Sequence, residues 1–266
     1  MIVKNQDTKL VKEFYERIAE EYDERYETPY WKLYHEITWA NINKFLPKRK
    51  SAIILDAGGG TGYWAIRLAK YGYRVVLTDI SEGMLKVARG KIEKEKLQNK
   101  IETKVVDIRD MACFPSNHFD MALAEGDPVS YCLNPEKAMS ELARVAKPGA
   151  HAVVSVDSKY RMIPRLIEEN SFGKLPNFLR TGILKGEFRF QAFTPKELET
   201  LFERCGLKVV RIMGKPVLTQ LVPRENRDEI IERNFEKILK LELKFCGTPS
   251  LVGMGGHLEV VGVKIV

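Results

Sequence analysis

Paired cysteines are missing from this chain. Its four cysteines are widely separated and include no C-x-x-C motif. Structural zinc sites and disulfide frameworks rely on characteristic cysteine spacings, so neither is indicated and no metal site is predicted. Isolated cysteines are typical of a reducing compartment, and we therefore expect a cytoplasmic location. The cysteines are Cys113, Cys132, Cys205 and Cys246.

Long apolar runs are also absent. No stretch approaches the roughly 18 apolar residues that a membrane-spanning helix needs. Lys4, Asp7 and Lys9 interrupt the N-terminus before an apolar segment can form, so no signal peptide is expected. Internal repeats and low-complexity tracts are missing too. The sequence therefore predicts no membrane partner, and it leaves the oligomeric state open.

Charge is not concentrated in blocks. The 266 residues carry a net charge of +7, and the basic residues are spread along the chain apart from Lys48, Arg49 and Lys50. A mildly basic balance favours acidic partners such as nucleic acid or anionic metabolites, although only weakly. The length suits one large domain, or one domain with a lid.

One junction between a strand and a helix stands out, in residues 53–68. The apolar run 52–55 predicts a buried parallel strand that ends at Asp56, and helical spacing of apolar residues begins at Trp64. Glycines between them allow a tight turn and let a ligand approach the main chain, where the amide groups at the helix start can bind it. These glycines are Gly58, Gly59, Gly60 and Gly62. The pattern predicts a nucleotide-type cradle.

The spacing of the glycines distinguishes between two ligand classes. A dinucleotide fingerprint, G-x-G-x-x-G, would place its third glycine where this chain has Tyr63. The pattern here is G-x-G-x-G, and Asp56 immediately precedes the loop region. A carboxylate repels a pyrophosphate but attracts the ammonium group of an amino acid. The loop therefore favours a nucleoside that carries an amino acid over a dinucleotide.

The motif D-A-G-G-G-T-G, residues 56–62, resembles motif I of the class I S-adenosylmethionine-dependent methyltransferases. The segment I-A-E-E-Y-D, residues 18–23, resembles the A-x-x-Y-D segment of small-molecule methyltransferases of the ubiquinone and menaquinone biosynthesis type. The resemblance implies S-adenosylmethionine as cofactor and S-adenosylhomocysteine as product. It also implies a doubly wound α/β fold with a seven-stranded, mostly parallel sheet, in which the last strand runs antiparallel.

Acidic residues follow the next predicted strands. Asp79 lies roughly 20 residues beyond the first loop glycine, where this architecture places a carboxylate for the ribose hydroxyls; capping the next helix is the alternative, although Ser81 can do that. By resemblance, Asp107 contacts the adenine amino group, with a plain loop aspartate as the alternative. Glu125 follows the fourth strand, and its carbonyl or carboxylate can meet the cofactor's ammonium. By resemblance, Tyr22 reaches the methionine carboxylate.

The full set of predicted cofactor-binding residues combines the glycine loop with the residues that follow the strands. Ile80 is expected against the adenine, together with Met84. The set is Tyr22, Asp56, Ala57, Gly58, Gly59, Gly60, Gly62, Tyr63, Asp79, Ile80, Met84, Asp107, Ile108, Glu125 and Gly126. On the second predicted helix, Trp31, Tyr34 and Trp39 are either core or substrate wall, and core positions are favoured.

The predicted organisation has an N-terminal helical cap, residues 1–50, before a methyltransferase domain, residues 51–266. Two insertions are predicted in that domain: a lid at 158–193, where helical and strand periodicity stops, and a helical segment at 214–247. The lid is basic and is compatible with an anionic substrate, although a solvated loop would look the same. Its arginines are Arg161, Arg165, Arg180 and Arg189.

The predicted function is methyl transfer to a small-molecule acceptor by in-line displacement at the sulfonium. No catalytic residue is assigned, since His118, His151 and His257 fall at predicted strand starts, away from the site. One alternative is an RNA or tRNA methyltransferase, which the basic charge supports. The D-P-P-Y box of enzymes that methylate base nitrogens is absent, because Val129 and Ser130 follow Asp127-Pro128. The other alternative is a cofactor-binding protein without catalysis.

Overall fold

A seven-stranded sheet forms the centre of the molecule in a computed structural model that describes residues 2–265 and the side chains of residues 7–265. The strands of this sheet run in the order β3-β2-β1-β4-β5-β9-β8, and β6 and β7 form a separate hairpin. The strands are β1 Ile53–Ala57, β2 Arg74–Asp79, β3 Ile101–Val105, β4 Phe119–Ala124, β5 Ala146–Asp157, β6 Ile183–Lys185, β7 Arg189–Gln191, β8 Leu207–Lys215 and β9 His257–Lys264.

Five neighbouring strands of the sheet, from β3 to β5, are parallel, and β9 runs antiparallel to both β5 and β8. Parallel strands need a crossover between them, which the chain supplies with helices. The predicted fold class is therefore confirmed: a doubly wound α/β fold with a mostly parallel sheet and an antiparallel last strand. At the carboxyl ends of β1 and β4 the strand order reverses, and in such folds ligands bind there.

Helices cover both faces of the sheet. They are α1 Ile2–Ile18, α2 Pro29–Phe45, α3 Tyr63–Lys70, α4 Glu82–Lys94, α5 Pro128–Tyr131, α6 Pro135–Val145, α7 Lys159–Glu168, α8 Leu175–Thr181, α9 Pro195–Arg204, α10 Arg224–Phe245 and α11 Pro249–Val252. One face packs against α6 and α9, and the other against α2, α3 and α4. None of the helices within residues 2–265 is long and apolar enough to cross a membrane.

Local sequence signals set the helix boundaries that position the site. The hydroxyl of Ser81 accepts a hydrogen bond from the Met84 amide at 3.1 Å, so it caps α4. Thr194 and Glu197 form a reciprocal capping box at the start of α9. Such caps satisfy amide groups that would otherwise lack partners at a helix start.

The N-terminal helical pattern is interrupted. The apolar spacing over residues 8–26 predicts an amphipathic helix that can break into two, and α1 stops at Ile18 before a single 3₁₀ turn at Asp23–Tyr26. The Glu16 carboxylate accepts from the amides of Glu82 and Gly83 at 2.9 and 2.8 Å, at the start of α4. A carboxylate is favoured there because the amino end of a helix carries partial positive charge. This contact holds α1 across the carboxyl ends of the strands.

The segment 158–193 is ordered rather than irregular. It contains α7, α8 and the β6–β7 hairpin, which share a small core of Met162, Leu166, Phe178 and Ala192. Each element is short, and Pro164 lies inside α7, so helical periodicity was hidden in the sequence. Phe188 of the hairpin packs edge-on against Phe14 of α1, with ring centroids 5.3 Å apart.

Candidate active site at the carboxyl edge of the sheet

The glycine loop between β1 and α3 has no room for side chains. A Cβ added at Gly59 would lie 2.5 Å from Cγ of Asp56, and one at Gly60 would lie 2.9 Å from Cε of Met84. Gly60 also has a φ of +55°, a left-handed conformation that only glycine adopts without strain. The main chain of the loop is therefore the surface that a ligand can approach.

Asp79 ties this loop to the end of β2. One carboxylate oxygen accepts from the Gly60 amide at 2.9 Å, and the other accepts from the Ser81 amide at 2.9 Å. Burial raises the pKa of Asp79 to about 6, although these amide donors act to lower it. Because Ser81 caps α4, Asp79 does not act as that cap. A carboxylate has about four acceptor positions, so Asp79 retains capacity for further donors.

A cavity of 680 Å³ opens above the loop. It is lined by most of the predicted cofactor-binding residues: Tyr22, Gly58, Gly59, Gly60, Tyr63, Asp79, Ile80, Met84, Asp107, Ile108, Glu125 and Gly126. Asp56, Ala57 and Gly62 do not line it, although they were in the same prediction. The volume falls within the range of roughly 300–1,000 Å³ that is typical of small-molecule sites.

Asp56 lies behind the glycine loop rather than in the cavity. Its side chain is fully buried against Gly59, and neither oxygen has a well-aligned hydrogen bond with a described residue. Contact between this carboxylate and a ligand's ammonium stays a prediction, which the lining of the cavity does not support. Ala57 is fully buried at the end of β1, and Gly62 precedes α3 as its N-cap, so neither reaches the cavity surface.

The carboxylate of Glu125 is partly engaged by another residue. Its Oε2 lies 2.6 Å from Nζ of Lys215, which in turn is ion-paired with Glu259, and all three side chains are buried. Its Oε1 has no hydrogen-bond partner among the described residues. Contact of the cofactor with the carbonyl or the carboxylate of Glu125 therefore remains a prediction.

Asp107 lines the cavity beside Arg109. Burial raises the pKa of the Asp107 carboxyl, but the hydrogen bonds from Arg109 lower it further, so the carboxylate is ionised. Arg109 also donates to the Cys132 carbonyl at 3.1 Å and to the Thr8 hydroxyl at 2.8 Å. These bonds join the end of β3 to α1. Contact between Asp107 and an adenine remains a prediction.

Aromatic side chains form another part of the cavity lining, here called the aromatic wall. The Tyr26 hydroxyl donates to that of Tyr22 at 3.0 Å. Burial raises the pKa of Tyr22 well above its ordinary value, so its hydroxyl stays protonated. The wall comprises Tyr15, Tyr22, Tyr26, Trp31, Tyr34, His35, Tyr63 and Tyr131. Trp31 and Tyr34 thus line the cavity although core positions were favoured, whereas Trp39 packs in the core.

His35 is a cavity residue that sequence reasoning did not consider. Its ring stacks on Tyr63 with centroids 4.2 Å apart. Burial lowers the pKa of His35 to about 4, with help from the charge of Lys215, so the imidazole is neutral at physiological pH. Its position four residues after Trp31 on α2 was the available signal, since side chains at i and i+4 lie on the same face of a helix.

His257 lies at the site, which corrects the prediction that all three histidines are remote. It is the first residue of β9, and because β9 is antiparallel its start lies beside the carboxyl ends of the parallel strands. Nδ1 of His257 is 2.8 Å from Oδ2 of Asp127, a close charge contact without the alignment of a hydrogen bond. His118 and His151 are not among the described residues that line the cavity.

Residues 54–149 match the family model described as a methyltransferase domain. A tRNA 5-carboxymethoxyuridine methyltransferase of Escherichia coli is 21% identical over 94% of this chain and 95% of its own length. A demethylmenaquinone methyltransferase of Bacteroides fragilis is 34% identical over 54% of this chain and 58% of its own. An S-adenosylmethionine-dependent methyltransferase of Methanosarcina mazei superimposes with a TM-score of 0.62 at 21% identity, covering 85% of this chain and 97% of that structure.

The chain carries a methyltransferase domain and has the fold of the class I S-adenosylmethionine-dependent methyltransferases. Its cofactor is S-adenosylmethionine, which donates a methyl group from a sulfonium. The residues present fit this group. The loop exposes main chain where a Cβ would collide, Asp79 offers an acceptor at the end of β2, and Ile80 and Met84 supply apolar surface between them.

In this methyltransferase the buried Asp56 should make stability depend on pH. Burial raises the pKa of Asp56 from 3.8 to about 7, and the Ala65 amide partly opposes this rise. The folded chain therefore holds this proton more tightly than the unfolded chain does. The stabilisation is complete below about pH 4 and is lost as the pH rises through about 7. Replacing Asp56 by asparagine should remove this contribution.

The measurement is thermal unfolding of the ligand-free enzyme at about pH 5 and pH 8. The fall in midpoint between these values should be smaller in Asp56→Asn than in wild type. Asp110→Asn, at an exposed loop position, is the matched control and should fall as wild type does. An Asp56→Asn variant with the full wild-type fall would contradict the assignment.

Proposed function

We propose that this methyltransferase acts on a small anionic acceptor bound beside the aromatic wall. The observation that carries the proposal is Arg161, which lines the cavity and makes no hydrogen bond or ion pair with any residue from 7 to 265. A guanidinium in such a position is suited to pair with a carboxylate or phosphate.

The other arginines of the segment 158–193 have partners. Arg165 pairs with Glu169, Arg180 donates to Asn177, and Arg189 pairs with Asp7. Only Arg161 among these four both borders the cavity and lacks such a partner within the described part of the chain. Of these four arginines, Arg161 is therefore the one whose positive charge is available to a ligand in the cavity.

The covering of the cavity supports a small acceptor. Tyr15 of α1 approaches Tyr131 and Phe188, with ring centroids 6.4 and 6.1 Å apart. We propose that the N-terminal helices and the segment 158–193 together act as a cover over the acceptor. Such a cover would exclude water and hold the acceptor in line with the methyl group, which is most of what transfer from a sulfonium requires.

Incubation of methyl-labelled S-adenosylmethionine with fractionated cell extract tests the proposal directly. The label should enter a small, acidic fraction that passes a low-mass filter and is retained by an anion exchanger. Label that appears only in protein or in nucleic acid would contradict it. The labelled compound then provides the acceptor for the kinetic experiments below.

Arg161→Gln should weaken acceptor binding while leaving cofactor binding intact. Loss of a hydrogen bond to a charged group costs about 1.5–3 kcal/mol, which corresponds to a rise in the acceptor KM of roughly 10- to 150-fold. Calorimetry should give wild-type affinity for S-adenosylhomocysteine. Arg165→Gln, four residues along the same helix and exposed, is the control and should keep the wild-type KM. An unchanged KM in Arg161→Gln would sink the assignment.

A tRNA acceptor is the second candidate, because the E. coli relative aligns with 94% of this chain. The acceptor in that enzyme's name carries a carboxylate, which Arg161 could pair with equally well. The departure from the D-P-P-Y box after Pro128 argues only against methylation of base nitrogens. Label in bulk tRNA, with binding that weakens steeply as salt increases, would favour this candidate over the first.

A further inference from the structure

Asp127 and His257 form a pair of titratable side chains at the bottom of the aromatic wall. Both line the cavity, and both are more than nine-tenths buried. Nδ1 of His257 faces Oδ2 of Asp127 at 2.8 Å, and the other oxygen of Asp127 has no hydrogen-bond partner among the described residues. Buried polar atoms left in this state call for a functional explanation.

The backbone holds this pair in place from two strands. Asp127 follows β4 in a left-handed conformation with a φ of +66°. Its amide and that of Gly126 donate to the hydroxyl of Ser155 at 3.2 and 3.0 Å. On the other side, the His257 ring packs between Tyr34 and Trp31, with centroids 5.2 and 5.8 Å away. A strained residue fixed by its surroundings at a cavity is a common feature of functional sites.

The charges around the pair keep Asp127 ionised. Burial raises the pKa of Asp127, but the neighbouring His257, together with Ser155 and Lys215, lowers it further. A carboxylate beside Nδ1 favours the tautomer with the proton on Nδ1, which leaves Nε2 as a proton acceptor. The other titratable or charged groups that face the pair are Asp157, Tyr15, Tyr26, Tyr34, Tyr131, Glu125, Arg161 and Lys215.

We propose that His257, oriented by Asp127, is the general base that removes a proton from the methyl acceptor. This inference rests on the proposed function and deepens it. It states that the acceptor atom carries a proton, as in a hydroxyl or a protonated amine. Acceptors whose methylated atom has no proton to lose, such as a tertiary amine, would not need this pair.

The step balances without any further reactant. Nε2 of His257 takes the proton from the acceptor atom, whose electron pair forms the new bond to the methyl carbon. The bond between that carbon and sulfur breaks, and its electron pair stays on sulfur to give S-adenosylhomocysteine. The Asp127 carboxylate stabilises the imidazolium until the proton leaves to solvent. Asp127 is therefore a positioning residue, and His257 is the catalytic one.

A metal ion is the competing explanation for the same side chains. Asp127, Asp157 and His257 each offer a ligand atom within 4.8 Å of the others. However, Lys215 and Arg161 exert their positive charges on this group, which disfavours an added cation.

The test compares His257→Gln with His118→Gln, the same substitution at a histidine that does not line the cavity. The acceptor is the fraction that wild type labels from methyl-labelled S-adenosylmethionine. For His257→Gln, kcat should fall by about 100-fold or more, the usual range for loss of a general base. Its affinity for S-adenosylhomocysteine should be that of wild type. The decrease of kcat as the pH is lowered should disappear in His257→Gln and persist in His118→Gln.

Nitrogen-resolved NMR of the complex with S-adenosylhomocysteine tests the pair without turnover. Wild type should show one histidine with its proton on Nδ1 and an unprotonated Nε2; this signature should be absent in His257→Gln and should shift towards the other tautomer in Asp127→Asn. If wild type labels nothing, the proposed function fails and this spectrum alone decides about the pair. A proton on Nε2 instead of Nδ1 would overturn the proposal. So would wild-type kcat in His257→Gln, or activity that EDTA abolishes and Mn²⁺ restores.

Discussion

Replacing Gly60 by valine should abolish binding of S-adenosylmethionine and of S-adenosylhomocysteine. A Cβ at this position would lie 2.9 Å from Cε of Met84, and the backbone φ of +55° is strained for any residue other than glycine. A left-handed residue costs about 1–2 kcal/mol and overpacking about 1–3 kcal/mol. Cε of Met84 is the end of a flexible side chain and can shift, whereas relief of the backbone strain moves the loop and carries the Gly60 amide away from Asp79. We expect affinity to fall by roughly 100-fold or more.

Calorimetry with S-adenosylhomocysteine measures this loss. Gly90→Val is the matched control, because a Cβ there meets nothing within 4 Å and the site lies on the exposed side of α4. The control should bind as wild type does. Gly60→Ala keeps the backbone strain with a smaller side chain and should fall between the two. Wild-type affinity in a folded Gly60→Val enzyme would contradict the role of the loop.

The fold and the cofactor half of the site were predictable because their signals are local in sequence. The glycine spacing and the apolar run before Asp56 identify one junction of strand and helix. The distance along the chain to Asp79 then follows from the length of one helix and one strand. The Ser81 cap and the Thr194 capping box also depend on neighbouring residues only. Short-range rules of this kind do not require knowledge of distant contacts.

The orientation of individual carboxylates was not predictable, because it depends on partners far away in sequence. Glu125 turns toward Lys215, which lies 90 residues further along the chain. Asp56 points behind the loop, which the strand alternation alone does not specify. In both cases the residue type and position suggested contact with a ligand. A tertiary partner, or the loop itself, sets the direction in which each carboxylate points.

The position of His257 beside the site could have been inferred from the sequence. The last strand was expected to run antiparallel, and the start of such a strand lies at the carboxyl edge of its parallel neighbours. A histidine at that start is therefore placed beside the site, whereas a histidine at the start of a parallel strand is placed at the opposite edge. His118, immediately before the parallel strand β4, illustrates the second case.

A network of buried ion pairs connects the end of β4, which carries Glu125, to β9, which carries His257. Lys215 of β8 joins Glu125 after β4 to Glu259 of β9, and Asn41 of α2 donates to Glu259. Removing one member of a buried group of charges leaves the others uncompensated. The network therefore fixes the strand ends that carry Glu125 and His257 relative to one another, which a geometrically demanding transfer needs.

Asp79→Ala should weaken S-adenosylhomocysteine by about 1–3 kcal/mol, or roughly 5- to 150-fold, because the ribose hydroxyls lose a charged acceptor. Burial raises the pKa of Asp79 to about 6, so wild-type affinity should also decline as the pH falls below about 6. Asp79→Ala should lack this decline. Asp110→Ala, at an exposed acid outside the cavity, is the control and should bind as wild type does.

Loss of Asp79 also frees the Gly60 amide, so the ribose contact must be separated from a change in the loop. An S-adenosylhomocysteine analogue without the two ribose hydroxyls makes this separation through a thermodynamic cycle. In wild type, removal of the hydroxyls should cost about as much as the substitution does. In Asp79→Ala, it should cost little more. Additive losses would assign the effect of Asp79 to the loop and refute a bond to the ribose.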